Sequence, residues 1–120
     1  MEAIDTLTTT ENHRALGILH SNLALQEVAT KQLPDAIGHF KTALDFHRLV
    51  GDETSLATTY SQLGQAFLMQ EEFRQAERCL NNASEHFIKL GNEPSEAAVL
   101  RVLALSLIHI SEPTRRYASS

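Results

Sequence analysis

The chain has 120 residues, of which 42% are hydrophobic and 6% aromatic, with no Trp, three Pro and five Gly. A β-sandwich or another turn-rich all-β fold usually contains more aromatic, Pro and Gly residues, so this composition favours long helices in one small domain. The net charge of −5 argues against a nucleic-acid-binding surface, which normally carries a basic stripe, and against docking on anionic membranes.

The cellular compartment is inferred from signals that the sequence lacks. No apolar run approaches the roughly 20 residues that a membrane-spanning helix needs. The early residues Glu2 and Asp5 are acidic where a secretory signal carries Lys or Arg. The single cysteine, Cys79, cannot form an internal disulfide. We therefore expect a cytoplasmic protein.

The first predicted helix follows an N-terminal tail of residues 1–10 and runs from about Asn12 to Lys31. Its large apolar residues recur near helical spacing, at Leu16, Leu19, Leu23 and Val28. A break follows, because Pro34 suits the first turn of a new helix. This second predicted helix extends to about Val50.

The junction after the second helix has a clear stop and start signal. Gly51 stands where a left-handed C-terminal cap favours glycine, and Asp52 can cap the helix that follows. The next two predicted helices cover about Glu53–Gln70 and Phe73–Leu90. A fifth predicted helix begins near Pro94. No strand is required anywhere in the sequence.

The sequence repeats itself with an offset of 40 residues, which places small residues on small ones and large apolar residues on large ones. The matched pairs include Leu16 with Leu56, Ala36 with Ala76, Ala43 with Ala83 and Gly51 with Gly91. The chain therefore divides into one repeat at 11–50, a second at 51–90 and the first helix of a truncated third repeat at 91–104.

The second copy resembles the tetratricopeptide repeat through Leu63-Gly64, Phe67, Phe73, Ala76, Leu80 and Ala83. The period of about 40 is similar to the longer-repeat subclass of that family. The resemblance implies an all-α fold, an α-solenoid of antiparallel helix pairs in a right-handed superhelix, with two full repeats plus one helix. The structural signature across both copies is Leu23, Ala36, Ala43, Leu63, Gly64, Phe67, Ala76 and Ala83. Its small residues lie where helices approach closely, and larger ones would clash.

The resemblance also implies a partner-binding groove faced by the first helix of each repeat. The residues placed there are Ser21, Asn22, Leu25, Ser61, Gln62, Gln65 and Arg101. Asn22 and Gln62 carry amides, which offer a donor and an acceptor and so suit a peptide group. The Lys/Asn/Arg carboxylate clamp of chaperone-binding members is absent, because Ser and Leu or Gln replace it in both copies.

Signs of catalysis or metal binding are weak. His13 and His20 are seven residues apart and can share a helix face, but no Cys or carboxylate completes a metal-ligand spacing. Cys79 has no nucleophile elbow or Gly-rich loop beside it. We expect six scattered histidines, an unreactive thiol, no metal, no cofactor and no enzymatic activity.

Residues 105–115 resemble the translation of a transposon-type sequencing adapter, in the order Leu-Ser-Leu-Ile-His-Ile-Ser-Glu-Pro-Thr-Arg. We interpret residues 105–120 as a non-native tail. The alternative is that Leu105–Ile110 completes the third helix. With either ending, Val99, Leu100, Val102 and Leu103 are predicted to lack a second helix, which favours self-association.

The sequence thus predicts a scaffold that binds a protein or peptide partner. Two alternatives stay open: a sensory or regulatory segment of a larger signalling or transcription-regulating protein, and a self-assembling repeat fragment. Nothing in the sequence identifies the partner.

Overall fold

The computed structural model describes residues 2–105, with side chains described from Thr9 onward. Four helices follow one another: α1 (Glu2–Ala29), α2 (Leu33–Val50), α3 (Glu53–Met69) and α4 (Phe73–Leu90). A fifth helix, α5, covers 93–105. The turns between them are only two or three residues long, so consecutive helices run antiparallel and pack as neighbours. The described residues contain no strand, and the all-α prediction is confirmed.

The 40-residue offset reappears in the backbone of the turns. Gly51 and Gly91 close α2 and α4 with φ of 70° and 69°. Asp52 and Asn92 then cap α3 and α5, their side-chain oxygens accepting from the amides of Ser55 at 3.1 Å and Ser95 at 3.2 Å. These left-handed glycines and side-chain caps are the predicted stop and start signals.

The turns within the two repeats also match each other in backbone conformation, but they contain no glycine. Lys31 and Glu71, 40 residues apart, take φ of 66° and 62° between paired helices. A left-handed conformation costs a residue with a Cβ about 1–2 kcal/mol. No local feature of the sequence predicted this geometry, because neither residue type favours it.

The core between α3 and α4 depends on one close helix approach. A methyl group placed on Gly64 would lie 2.7 Å from Cγ of Leu80 and 3.3 Å from the carbonyl oxygen of Ala76. The contact with Leu80 is too short for ordinary packing, and the contact with Ala76 is tight. Leu80 and Ala83 are fully buried beside this crossing. Glycine at position 64 is therefore what permits α3 and α4 to meet at this distance.

Most signature residues are buried, and Leu23 is the exception. Ala36, Ala43, Ala76 and Ala83 are inaccessible, and Leu63 and Phe67 nearly so. Leu23 is 36% exposed, and Leu16 and Leu19 are exposed with it. In α3 the equivalent face is buried because α2 covers it, whereas no described helix covers this face of α1. Of the four apolar residues at helical spacing in α1, Leu16, Leu19 and Leu23 therefore stay exposed and only Val28 packs against the core. Gly17 and Ala24 supply the remaining close contacts of α1.

The first ten residues differ from their prediction. The expected tail of residues 1–10 is helical from Glu2, because Glu11 occupies the position where Gly51 and Gly91 end their helices. Val99 and Leu103 are buried in a cluster with Leu80, Ala83 and Phe87 of α4, the helix before them, and the predicted lack of a second helix after α5 concerns residues outside the described range. Only Leu100 stays exposed, and Val102 is half-buried. Residues 106–120, which hold most of the segment interpreted as non-native, lie outside the described residues.

We predict that Leu63→Ala lowers the free energy of unfolding by about 2–5 kcal/mol, since Leu63 is 2% exposed and its loss leaves a cavity. Its repeat equivalent provides the matched control, because Leu23→Ala removes the same atoms from an exposed site and should cost no more than about 1 kcal/mol. Urea denaturation followed by circular dichroism measures both. Equal losses would contradict the difference in packing between the two copies.

A second pair of substitutions tests the turn geometry. Gly51→Ala should destabilise the protein by about 1 kcal/mol, because alanine disfavours a φ of 70°. Gly38→Ala should instead stabilise it by about 0.5–1 kcal/mol, since Gly38 lies inside α2 and an added methyl group meets nothing within 4 Å. Thermal melting of the two variants must therefore shift in opposite directions.

Candidate functional site

A hollow forms between α1 and α3 because both helices pack on α2. Its volume is about 230 Å³. His47 of α2 lies at its floor, only 3% exposed. The walls are Ile18, Ser21, Asn22 and Leu25 from α1 and Thr54, Ser55, Thr58, Thr59 and Gln62 from α3.

A second hollow of about 270 Å³ lies between α3 and α5. It is lined by Thr58, Ser61, Gln62, Phe87, Ser95, Ala98 and Val99. Thr58 and Gln62 belong to both hollows, so the two join across α3. We call this joined surface of α1, α3 and α5 the groove.

The groove contains most of the residues that the sequence placed there. Ser21, Asn22 and Leu25 line the first hollow, Ser61 the second, and Gln62 both. Gln65 and Arg101 are exposed and line neither hollow, so the structure does not bring these two together with the others.

Sequence reasoning missed several groove residues. His47 was missed because it lies on the second helix of a repeat, where the repeat pattern predicts only core contacts. Thr54, Ser55 and Thr59 were missed because they follow the Asp52 cap and lie upstream of the Leu-Gly pair. Their position in the first turns of α3 was the available signal.

The lining mixes polar and apolar side chains and is uncharged at neutral pH. Hydroxyl groups come from Ser and Thr on all three helices, and amides from Asn22 and Gln62. No Lys, Arg, Asp or Glu lines either hollow. Such a surface can exchange hydrogen bonds with a ligand, since hydroxyls and amides both donate and accept. It offers no ion pair that would select a charged side chain.

The floor of the groove is held by a histidine in close packing. Nε2 of His47 lies 3.4 Å from Oγ of Ser21, and a methyl group on Gly17 would lie 2.9 Å from His47 Nδ1. Burial lowers the pKa of His47, and the nearby Asp52 carboxylate offsets only part of that effect. The imidazole is therefore neutral at pH 7.

Asp52 joins the groove floor to the start of α3. Burial alone would raise the pKa of Asp52, but hydrogen bonds from Ser55 and the charges of His47 and Arg14 outweigh burial and hold it below its ordinary value. Arg14 Nη1 lies 3.6 Å from the Asp52 carboxylate. The cap is thus ionised throughout the neutral range.

Two other kinds of site, a metal site and a reactive cysteine, find little support among the described residues. Among residues 9–105, no group of three or more His, Cys, Asp and Glu side chains is placed to hold a metal ion. Cys79 is buried, and burial raises the pKa of its thiol against the opposing charges of Lys41 and Arg78. A protonated buried thiol is a poor nucleophile. No helix within the described range has both the length and the apolar character to cross a bilayer.

The repeat geometry and a family comparison agree. The tetratricopeptide-repeat family model matches residues 15–89, well over half of the chain. The chain belongs to the tetratricopeptide-repeat family. Tetratricopeptide repeats generally mediate protein–protein interactions and typically form scaffolds without enzymatic activity. No curated protein matches the sequence.

Proposed function

We propose that the groove binds an extended segment of a partner protein, with Asn22 and Gln62 bonding to its main chain. The observation that carries this proposal is the uncharged lining of hydroxyls and amides across α1, α3 and α5. A peptide backbone presents alternating donors and acceptors, and these side chains can satisfy both. The function is recognition, with no reaction.

The two amides are repeat equivalents, which supports a shared role. Asn22 and Gln62 lie 40 residues apart at the same position of α1 and α3, and both line the first hollow. A ligand lying across α1 and α3 therefore meets one amide from each wall. Main-chain recognition of this kind gives affinity, while neighbouring pockets select side chains.

The neighbouring pockets favour small or apolar side chains. Ile18 and Leu25 are exposed apolar residues on the α1 wall of the first hollow. Ala98 and the buried Phe87 and Val99 line the second. Since no charged side chain lines either hollow, we infer that the bound segment is uncharged and partly apolar.

We predict that truncating the two amides weakens peptide binding. Peptides are selected from a random display library with the full chain as bait, and their Kd is measured by fluorescence polarisation. Asn22→Ala and Gln62→Ala should each raise Kd about 2- to 10-fold, the usual effect of losing one hydrogen bond. Gln26→Ala and Asn81→Ala remove exposed amides outside the groove and serve as matched controls. If all four variants bind alike, the groove is not the binding site.

The exposed apolar stripe of α1 favours self-association as a second candidate function. Leu16, Leu19 and Leu23 are exposed, whereas the equivalent face of α3 is buried under α2. An apolar helix face of this kind is a ready site for another helix. Exposed Leu100 and Leu105 of α5 add apolar surface at the other end of the stack.

Analytical ultracentrifugation over a range of protein concentrations tests this second candidate. We expect a concentration-dependent mass for the wild-type chain and a lower mass for Leu19→Ser. Leu49→Ser, on the exposed side of α2, should leave the association unchanged. A monomer at all concentrations excludes self-association.

A further inference from the structure

Four of the five described histidines meet between α1 and α2. The rings of His13 and His20 lie against Phe46, with centroids 5.6 and 5.9 Å away. His20 also stacks on His39 at 5.4 Å. His47 is buried further along the same helix pair, at the floor of the groove. We call the contact formed by His13, His20, His39 and His47 the histidine interface.

The second repeat shows that this packing does not require histidine. The equivalent positions between α3 and α4 hold Glu53, Tyr60, Cys79 and Phe87. Cys79 and Phe87 are buried there, as their counterparts are packed between α1 and α2. The contact between α3 and α4 holds one histidine, His86, which stacks on Tyr60 and pairs with Glu53, whereas the contact between α1 and α2 holds four. The two helix pairs thus differ in how many side chains at their contact are of the type that gains charge in mild acid.

His47 is the member most strongly held in its neutral form. Its ring lies against Gly17 and Ser21 of α1, so water has little access. The charged groups near it are Arg14 on α1 and Asp52 before α3, and these two lie 3.6 Å apart. The Asp52 carboxylate is therefore shared with Arg14. Burial outweighs its attraction and lowers the pKa of His47.

His20 and His39 face a different set of charges. Nδ1 of His39 lies 2.5 Å from a carboxylate oxygen of Glu27 on α1, so a positive charge on His39 has a partner. His20 has none: its Nδ1 is buried without a hydrogen-bond partner among the described residues. A second positive charge on His20 would face the charged His39 ring at 5.4 Å. Like charges at that distance repel.

We propose that the histidine interface is a pH-sensitive latch on the groove: in mild acid, imidazolium charges separate α1 from α2, remove one groove wall and release the bound segment. The wall is lost because Ser21, Asn22 and Leu25 all belong to α1. The release of a segment rests on the proposed function, whereas the opening of α1 does not.

The pH window follows from the direction of the His47 shift. Its pKa in the folded state is below the unfolded value, so the folded state binds fewer protons. This stabilising contribution is complete above about pH 6.5 and is lost as pH falls below that value. Asp52 contributes in a different pH range, because its pKa lies below the ordinary value for an aspartate and its contribution is lost only in stronger acid.

Amide hydrogen exchange on the full chain tests the latch without any peptide. Protection factors, corrected for the intrinsic exchange rate, are compared at pH 7.5, 6.5 and 5.5. For each proton taken up on opening, protection falls by up to about tenfold per pH unit. We expect a fall of about three- to tenfold between pH 6.5 and 5.5 for residues 13–29 of α1, and a smaller one for residues 73–90 of α4.

Two substitutions provide the comparison. His47→Phe copies Phe87 of the second repeat and should abolish most of the pH-dependent fall in α1. His20→Tyr, which copies Tyr60, should reduce it. His86→Gln removes a histidine that contacts Tyr60 and Glu53 outside the histidine interface, and should leave the fall unchanged.

The latch is excluded if α1 and α4 lose protection equally, or if His47→Phe retains the full pH dependence. Binding of a selected peptide at pH 7.5 and 5.5 separates this failure from that of the groove. Affinity that depends on Asn22 but not on pH keeps the groove and overturns the latch. Opening of α1 in acid without any peptide binding keeps the latch and overturns the groove.

Discussion

Close contact between paired helices is the constraint on which this structure depends. α3 and α4 meet where Gly64 leaves room for Leu80, and α1 and α2 meet where Gly17 leaves room for His47. Each contact brings the two helices of a repeat together along a stripe of small residues. Because α2 also packs against α3, the α1–α2 and α2–α3 contacts together set the separation of α1 from α3, and with it the width of the groove.

The groove is a consequence of this packing order. α1 and α3 share α2 as their neighbour, and the space between them is closed only by His47 at the floor. His47 is therefore both a buried core residue and part of the groove. In the proposed latch, this double position couples the ionisation of His47 to the position of Ser21, which lies 3.4 Å from its ring.

The sequence predicted the features that have a local cause. Gly51, Asp52 and Gly91 mark helix ends through backbone geometry that few other residues adopt, and the predicted bounds of α2, α3 and α4 lie within about a residue of those observed. Asn22 and Gln62 line the groove because the repeat pattern fixes which side of the first helix faces it.

The errors came from features that depend on distant neighbours. Periodicity marked Leu16 and Leu23 as apolar but could not show that α1 has no described helix on that side. The histidine interface was only partly predictable: spacing put His13 and His20 on one face of α1, but their proximity to His39 and His47 depends on the pairing of α1 with α2.

The turns at Lys31 and Glu71 have a consequence for protein engineering. The φ values of the two residues differ by only 4°, and each turn joins the first helix of a repeat to the second helix of the same repeat. A segment cut from residue 32 to residue 71 therefore begins just after one of these turn residues and ends on the other. Inserted in tandem after Glu71, it would place Gln32 behind a residue in the same left-handed conformation as Lys31, and the array would lengthen in steps of one repeat.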